Sequence, residues 1–256
     1  MKKKYSNKYT IETGIGLQDV DNLKNSSYFV NESERYIKGE ISLSELEEII
    51  FSYYKSKPNE KDNRSEEADI VSIRIARLIS DDSFSFTIGQ LVSIHKQLFS
   101  EIFTHAGKLR TYNFTKDEWV LDGDSVTYGD YRELNLTLQY DFDVERHFIY
   151  KGLSIDEIID HLAVFIANLW QIHAFEEGNT RTTAVFFIKY LRSLGFDVTN
   201  DIFAKNTLYF RNALVRANYQ NVVRGVKRES VFLELFFRNL LLKDTNTLKN
   251  RYLHIE

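Results

Sequence analysis

His173-Ala174-Phe175-Glu176-Glu177-Gly178-Asn179-Thr180-Arg181 is the stretch on which the reading of this chain turns. Before it, Ile158, Leu162, Phe165, Leu169 and Ile172 recur at helical spacing behind a capping box, Ser154-Ile155-Asp156-Glu157. After it, Val185, Ile188, Tyr190 and Leu191 continue helically to Gly195, which suits a position just past a helix end. The spacing predicts helix, Gly-Asn loop, helix. The first N–H groups of the second helix have no intrahelical partners and make an anion site. Gly178 lets a phosphate approach the backbone, and Asn179 either caps the helix or donates its amide to a phosphate oxygen. Arg181 adds charge-assisted hydrogen bonds, Glu177 suits Mg²⁺, and His173 is placed to take a proton from an attacking hydroxyl. By residue type alone a purely structural reading stays open, because helix histidines commonly pack and Gly-Asn is a common turn.

Outward from this stretch the body reads as mostly α. Ser42-Leu43-Ser44-Glu45 is a capping box ahead of Leu46, Ile49, Ile50 and Tyr53, and Thr87-Ile88-Gly89-Gln90 is another ahead of Leu91, Ile94 and Leu98. Phe210–Tyr219 and Ser230–Leu242 read as two further helices. His95 lies on an apolar stripe and reads as a core residue, and His147 and His161 are read the same way. One segment departs from the helical pattern. Glu118–Tyr128 places β-formers on both sides of Asp122-Gly123, a hairpin signal. The single proline, Pro58, sits in the polar run Lys55–Arg64, which is the best linker candidate and sets off an N-terminal lobe of about sixty residues.

Composition narrows the chemistry. The 256 residues are 27% charged and 43% hydrophobic with a formal net charge of −4, an ordinary globular balance that gives no reason to expect nucleic acid. There is no cysteine, which excludes disulfides, thiolate metal sites and cysteine catalysis. No histidine pair has zinc-protease spacing. Met1-Lys2-Lys3-Lys4 leads into polar sequence rather than an apolar signal core, and the runs Leu162–Ile172 and Val231–Leu242 are too short to span a bilayer. A cytoplasmic protein without membrane association is expected, with translocation into a host cell as an effector left open.

The central stretch resembles the signature of the Fic/Doc family, His-x-Phe-x-(Asp/Glu)-Gly-Asn-(Gly/Lys)-Arg-x-x-Arg, through His173, Phe175, Glu177, Gly178, Asn179 and Arg181. His105-Ala106-Gly107-Lys108-Leu109-Arg110 is similar to the element that precedes the family's β-hairpin flap. Phe210–Asn218 is similar to the helix beside the nucleotide's base. The resemblance implies an all-α, Fic-like helical bundle with a short β-hairpin flap. It divides the chain into a small helical N-terminal lobe (1–60, its regulatory role left open), a Fic domain (68–243) and a C-terminal tail (244–256). The implied activity is protein adenylylation, in which AMP passes from ATP to a Ser, Thr or Tyr hydroxyl of a target protein. His173 would be the general base and Glu177 the Mg²⁺ ligand. Gly178, Asn179, Thr180 and Arg181 would cradle the phosphates, and Asn218 would contact the adenine. Trp119, Val120 and Leu121 would line a flap that adds a strand to the target.

Two departures from the family pattern bear on this. Position 184, the second arginine of the signature, is Ala184, and position 180 is Thr180 rather than Gly or Lys. Transfer of phosphate or another nucleotide, and a non-catalytic nucleotide-binding module, therefore stay open as alternatives. The family's inhibitory glutamate has no clear counterpart: Lys38 precedes Gly39 in Ser33–Ser42, and Leu235 follows Glu234. The joint loss of that glutamate and its arginine partner leads to the expectation that no glutamate restrains the site.

Overall fold

The computed structural model describes residues 5–56 and 64–255, so Met1–Lys4 and the centre of the expected linker, including Pro58, lie outside the described residues. The helices are α1 (Asn7–Gly16), α2 (Ser27–Lys38), α3 (Leu43–Ser56), α4 (Ser65–Ser80) and α5 (Ile88–Phe99). They continue with α6 (Leu134–His147), α7 (Ile155–Ile172), α8 (Asn179–Ser193), α9 (Ile202–Asn218) and α10 (Val231–Phe237). A 3-10 turn, Leu17–Asp21, follows α1 directly. The capping signal of α7 acts as read, and that of α5 only in part, because the Gln90 side chain accepts from Ser85 instead of closing the box. Ser154 and Glu157 form the reciprocal box at the start of α7, and Thr87 accepts from Gln90 at the start of α5.

Two apolar clusters organise these helices. The smaller joins Ile11, Phe29, Tyr36, Leu46, Ile50 and Tyr54 of α1–α3 to one side of α4, through Ile70, Ile73 and Ala76. The larger takes the other side of α4, through Val71, Ile75 and Ile79, and gathers α5–α10 around Trp170, Phe175, Phe186 and Phe187. An apolar residue at nearly every position of its middle turns lets α4 be buried on both sides. The lobe and the body are thus welded along one helix. α1 lies so close to α4 that a Cβ on Gly14 would stand 2.3 Å from the Ser72 carbonyl oxygen, which only glycine avoids.

The β-hairpin flap expected at Trp119–Tyr128 is not formed, and among the described residues there is no sheet, only an isolated bridge between Asn221 and Val226. Trp119–Leu121 is instead a 3-10 turn whose Val120 and Leu121 are both fully buried. A strand would send those neighbours to opposite faces, whereas the turn sends both into the core. Asp122 and Gly123, both at positive φ, close the turn, with the Glu118 carbonyl accepting from Leu121 and Gly123. His147 also differs from its reading as a core residue. It is exposed at the end of α6, where polar sequence surrounds it.

Candidate active site

α7 ends by turning left-handed at His173 (φ 50°, ψ 55°), a conformation that costs a non-glycine residue about 1–2 kcal/mol. Arg110 holds it there. Its backbone N–H donates to Ala174 O at 3.0 Å, and its guanidinium donates to His173 O at 2.7 Å, to Ile172 O at 3.3 Å and to Gly129 O. The last carbonyls of a helix have no intrahelical partner, and one buried arginine satisfies them here. The His105–Arg110 element therefore acts as the clasp that aims His173.

The loop after His173 is held from three sides. The Asn179 side chain accepts from Phe175 N at 2.9 Å and donates to Phe175 O at 2.7 Å. It is committed to the loop and unavailable to a phosphate, so Asn179 offers only its backbone N–H. His95 Nδ1 accepts from Gly107 N at 2.8 Å, which leaves Nε2 to donate to Glu177 O at 3.0 Å, and its ring stacks on Phe175 at 3.8 Å. Burial pushes the His95 pKa down to about 4. Gly178 starts α8 at φ 72°, and a Cβ there would meet the Phe99 ring at 2.3 Å. α8 consequently begins with its free N–H groups at the rim of this loop.

His173 itself is 3% exposed. Its ring stacks on Tyr128 at 3.9 Å, with the edges of Trp170 and Phe114 at 5.3 and 5.6 Å. Among the described residues neither ring nitrogen has a partner. Burial holds its pKa well below the usual histidine value, assisted by the nearby cations Lys116, Arg211 and Arg110. The ring is therefore neutral, the form that accepts a proton. Two orphaned nitrogens on a buried ring close to three cations fit a site built for something polar. Glu177 stands at the recess rim, half-exposed, with Lys116 Nζ at 3.9 Å. Among the described residues no three His, Cys, Asp or Glu side chains gather as a metal cage. One exposed carboxylate beside an anion site nevertheless suits a Mg²⁺ ion that takes its other ligands from phosphate and water.

Residues 85–191 match the Fic/DOC family. The chain carries a Fic/DOC domain. It is similar to the protein adenylyltransferase VbhT of Bartonella schoenbuchensis, 26% identical over 119 residues covering 46% of this chain and 24% of that protein. A protein adenylyltransferase of Bartonella henselae is 27% identical over 150 residues covering 52% of this chain and 26% of its own length. The matches thus span about a quarter of the length of these curated relatives. Among solved structures, the N-terminal FIC domain of Bep8, a VirB-translocated effector of Bartonella sp. 1-1C, superimposes with a TM-score of 0.53 at 20% identity, covering 68% of this chain and 82% of that one. That likeness is one of fold.

Several expected site residues of this Fic domain are engaged elsewhere. Arg181 is fully buried over Phe99, and its guanidinium donates to Gln18 Oε1 at 3.0 Å and pairs with Glu67 Oε1 and Asp21 Oδ2, each at 2.8 Å. Glu67, with Asp21, thus holds the motif arginine in this conformation, whereas position 184, where the family's inhibitory glutamate would find its arginine, is the fully buried Ala184. Glu234 only accepts from Ser230 at the start of α10. Thr180 accepts from Trp170 Nε1 at 2.9 Å. Asn218 is buried, and its amide nitrogen donates to Ala167 O at 2.9 Å and Leu214 O at 3.0 Å, so it ties α9 to α7.

The flap expectation is corrected for its side chains as well. Val120 and Leu121 face the core, the Val120 carbonyl already accepts from Ile255 N at 2.9 Å, and only Trp119 is exposed, its ring against His254. An incoming strand meets no free main chain at Val120 in this conformation. Tyr128, Glu118 and Arg211 were not singled out from the sequence. Arg211 grips Glu118 with two hydrogen bonds at 2.6 and 2.9 Å, beside the tyrosine that covers His173. Their signal was faint, an acidic residue before the Asp-Gly turn and an arginine in the α9 pattern.

Proposed function

We propose that this protein transfers AMP from ATP to a hydroxyl side chain of a protein target, and that the conformation described above is its closed state. The observation that carries the reading is the buried His173 ring, with both nitrogens unpartnered, at the C-terminus of α7 and five residues ahead of the N-terminal Gly178 cap of α8. His173 would take the proton of the incoming hydroxyl as its oxygen bonds to the α-phosphorus. The bond from that phosphorus to the bridging oxygen breaks, and pyrophosphate leaves. The backbone N–H groups of Asn179, Thr180 and Arg181 would receive the phosphate oxygens, with Lys116 and Arg211 adding positive charge. Glu177 would hold Mg²⁺, which when bound neutralises the phosphate charge.

Substrate entry requires the Tyr128 ring to leave His173. It also requires Glu67 and Asp21 to release Arg181 if that guanidinium is to reach a phosphate. The N-terminal lobe, through Asp21, and α4, through Glu67, would thereby restrain the site. The decisive experiment incubates the protein with Mg²⁺ and ATP labelled at either the α- or the γ-phosphate, beside His173→Ala. Protein-bound α-label, absent with the variant, supports AMP transfer. Label from the γ-phosphate alone moves the reading to phosphate transfer, and nucleotide binding with no transfer in any condition moves it to a non-catalytic module.

A further inference from the structure

A cleft of about 310 Å³ opens between α6 and α7, one residue from His173 and against the Tyr128 ring that stacks on it. Thr137 and Asp141 line it from α6, and Asn168, Gln171 and Ile172 from α7. Its lining holds one carboxylate, Asp141, and no cationic side chain. Gln171 donates its amide nitrogen to Thr127 O at 2.9 Å, so the acceptor it keeps for another donor is its side-chain oxygen. Asp141 is half-buried and, among the described residues, has neither a cation nor a hydrogen-bond donor to offset its desolvation, and burial alone pushes its pKa up to about 6. A carboxylate that is partly desolvated and unpaired gains more from an incoming cation than a fully exposed one does.

The flank of the cleft is apolar. Leu136, Tyr140 and Val144 repeat at i, i+4 and i+8 on the outer side of α6 and are 74%, 69% and 50% exposed. Val164, 52% exposed, adds to this from α7. An apolar stripe beside an unpaired acid matches a peptide that carries a cation between apolar residues. A planar guanidinium, with five donors, satisfies a carboxylate and neighbouring amide oxygens together.

We infer that the α6–α7 cleft is a recognition site for the target protein, receiving an arginine side chain at Asp141 while apolar neighbours of that arginine lie on Leu136, Tyr140 and Val144. The site rests on the proposed transfer reaction for its purpose, because it would hold the target chain next to His173. It adds selectivity that the buried Val120 main chain does not provide.

The test uses the full chain, ¹⁵N-labelled and without nucleotide, titrated with acetyl-Leu-Arg-Leu-amide and with the same peptide carrying citrulline, which is isosteric and neutral. Amide shifts should centre on Thr137, Asp141, Asn168 and Gln171, and the arginine peptide should bind at least about tenfold more tightly. Asp141→Asn should abolish that ratio, and Tyr140→Ser should weaken both peptides alike. Equal binding of the two peptides to the unaltered protein, shifts elsewhere, or a ratio that survives Asp141→Asn overturns the site. The two readings fail separately. A protein that shows the arginine preference but transfers no α-label keeps the site and loses the activity, and the converse result keeps the activity and loses the site.

Discussion

Replacing Glu67 with glutamine should loosen the fold and tighten nucleotide binding at once. Arg181 has no solvent exposure and Glu67 and Asp21 keep 7% and 16% of theirs, so little water is on hand to replace a lost carboxylate. Breaking a buried pair costs about 3–5 kcal/mol. Asp21 stays at 2.8 Å and the substituted amide would retain an acceptor oxygen, so about 2–4 kcal/mol is the expected loss. At about 2–4 °C per kcal/mol this lowers the melting temperature by roughly 5–15 °C. Held by one carboxylate instead of two, the guanidinium turns more readily to a phosphate, a charge-assisted hydrogen bond of about 1.5–3 kcal/mol that sets a ceiling of about tenfold to a hundredfold on the gain in Kd. Melting curves with and without ATP, together with calorimetric titration of ATP, read both effects. Glu12→Gln, at the exposed Lys8–Glu12 pair 3.8 Å apart, is the control and should change neither. A Glu67→Gln protein that melts early but binds ATP with unaltered Kd would show that the contact is structural and refute the restraint.

Three further outcomes are expected. Gly178→Ala adds a methyl group 2.3 Å from Phe99 at φ 72° and should destabilise by about 2–4 kcal/mol, read as a shift in the urea midpoint. Tyr128→Ala removes the ring that covers His173, so diethyl pyrocarbonate should modify His173 many times faster in the variant, scored by peptide mass; unchanged protection would place the barrier elsewhere. His95 and His173 both have depressed pKa values, so the unfolded chain takes up their protons first. Their stability contribution is complete above about pH 6.5 and falls as pH drops, by about 3 kcal/mol for His95 on reaching pH 4. Denaturation midpoints of the wild type should therefore fall more steeply between pH 6.5 and 4 than those of His95→Phe.

The helices around the motif were legible because their signals are local. The Ser154–Glu157 box and the Ile158–Ile172 stripe specify α7 without reference to the rest of the chain. The flap was misread because Asp122-Gly123 signals only that the chain reverses with two residues at positive φ, and a 3-10 turn satisfies that as well as a hairpin. The deciding facts were non-local: a core place for both Val120 and Leu121, and Arg211 waiting for Glu118. The same holds for Arg181. Gln18, Asp21 and Glu67 carry no pattern among themselves, and they meet only because the 3-10 turn after α1 packs beside the start of α4. Pairing across 114 to 163 positions of sequence leaves no periodic trace.

The motif loop and its side chains stand in different states. The backbone from Phe175 to Asn179 is already fixed by the Asn179 hydrogen bonds, the His95 bridge and the Gly178–Phe99 contact, so a ligand has little chain to order there. What it must undo is the cover over His173 and the clamp on Arg181. The apparent affinity of a closed protein is its intrinsic affinity scaled by the fraction that is open. A clamp of about 3 kcal/mol leaves roughly one molecule in a hundred open, which caps the gain from removing it near a hundredfold. That ceiling coincides with the largest effect a new phosphate contact can add to the Glu67→Gln protein. A gain beyond about a hundredfold would therefore mean that Glu67 also holds the Tyr128 cover shut, and combining Glu67→Gln with Tyr128→Ala would expose that link as a non-additive pair.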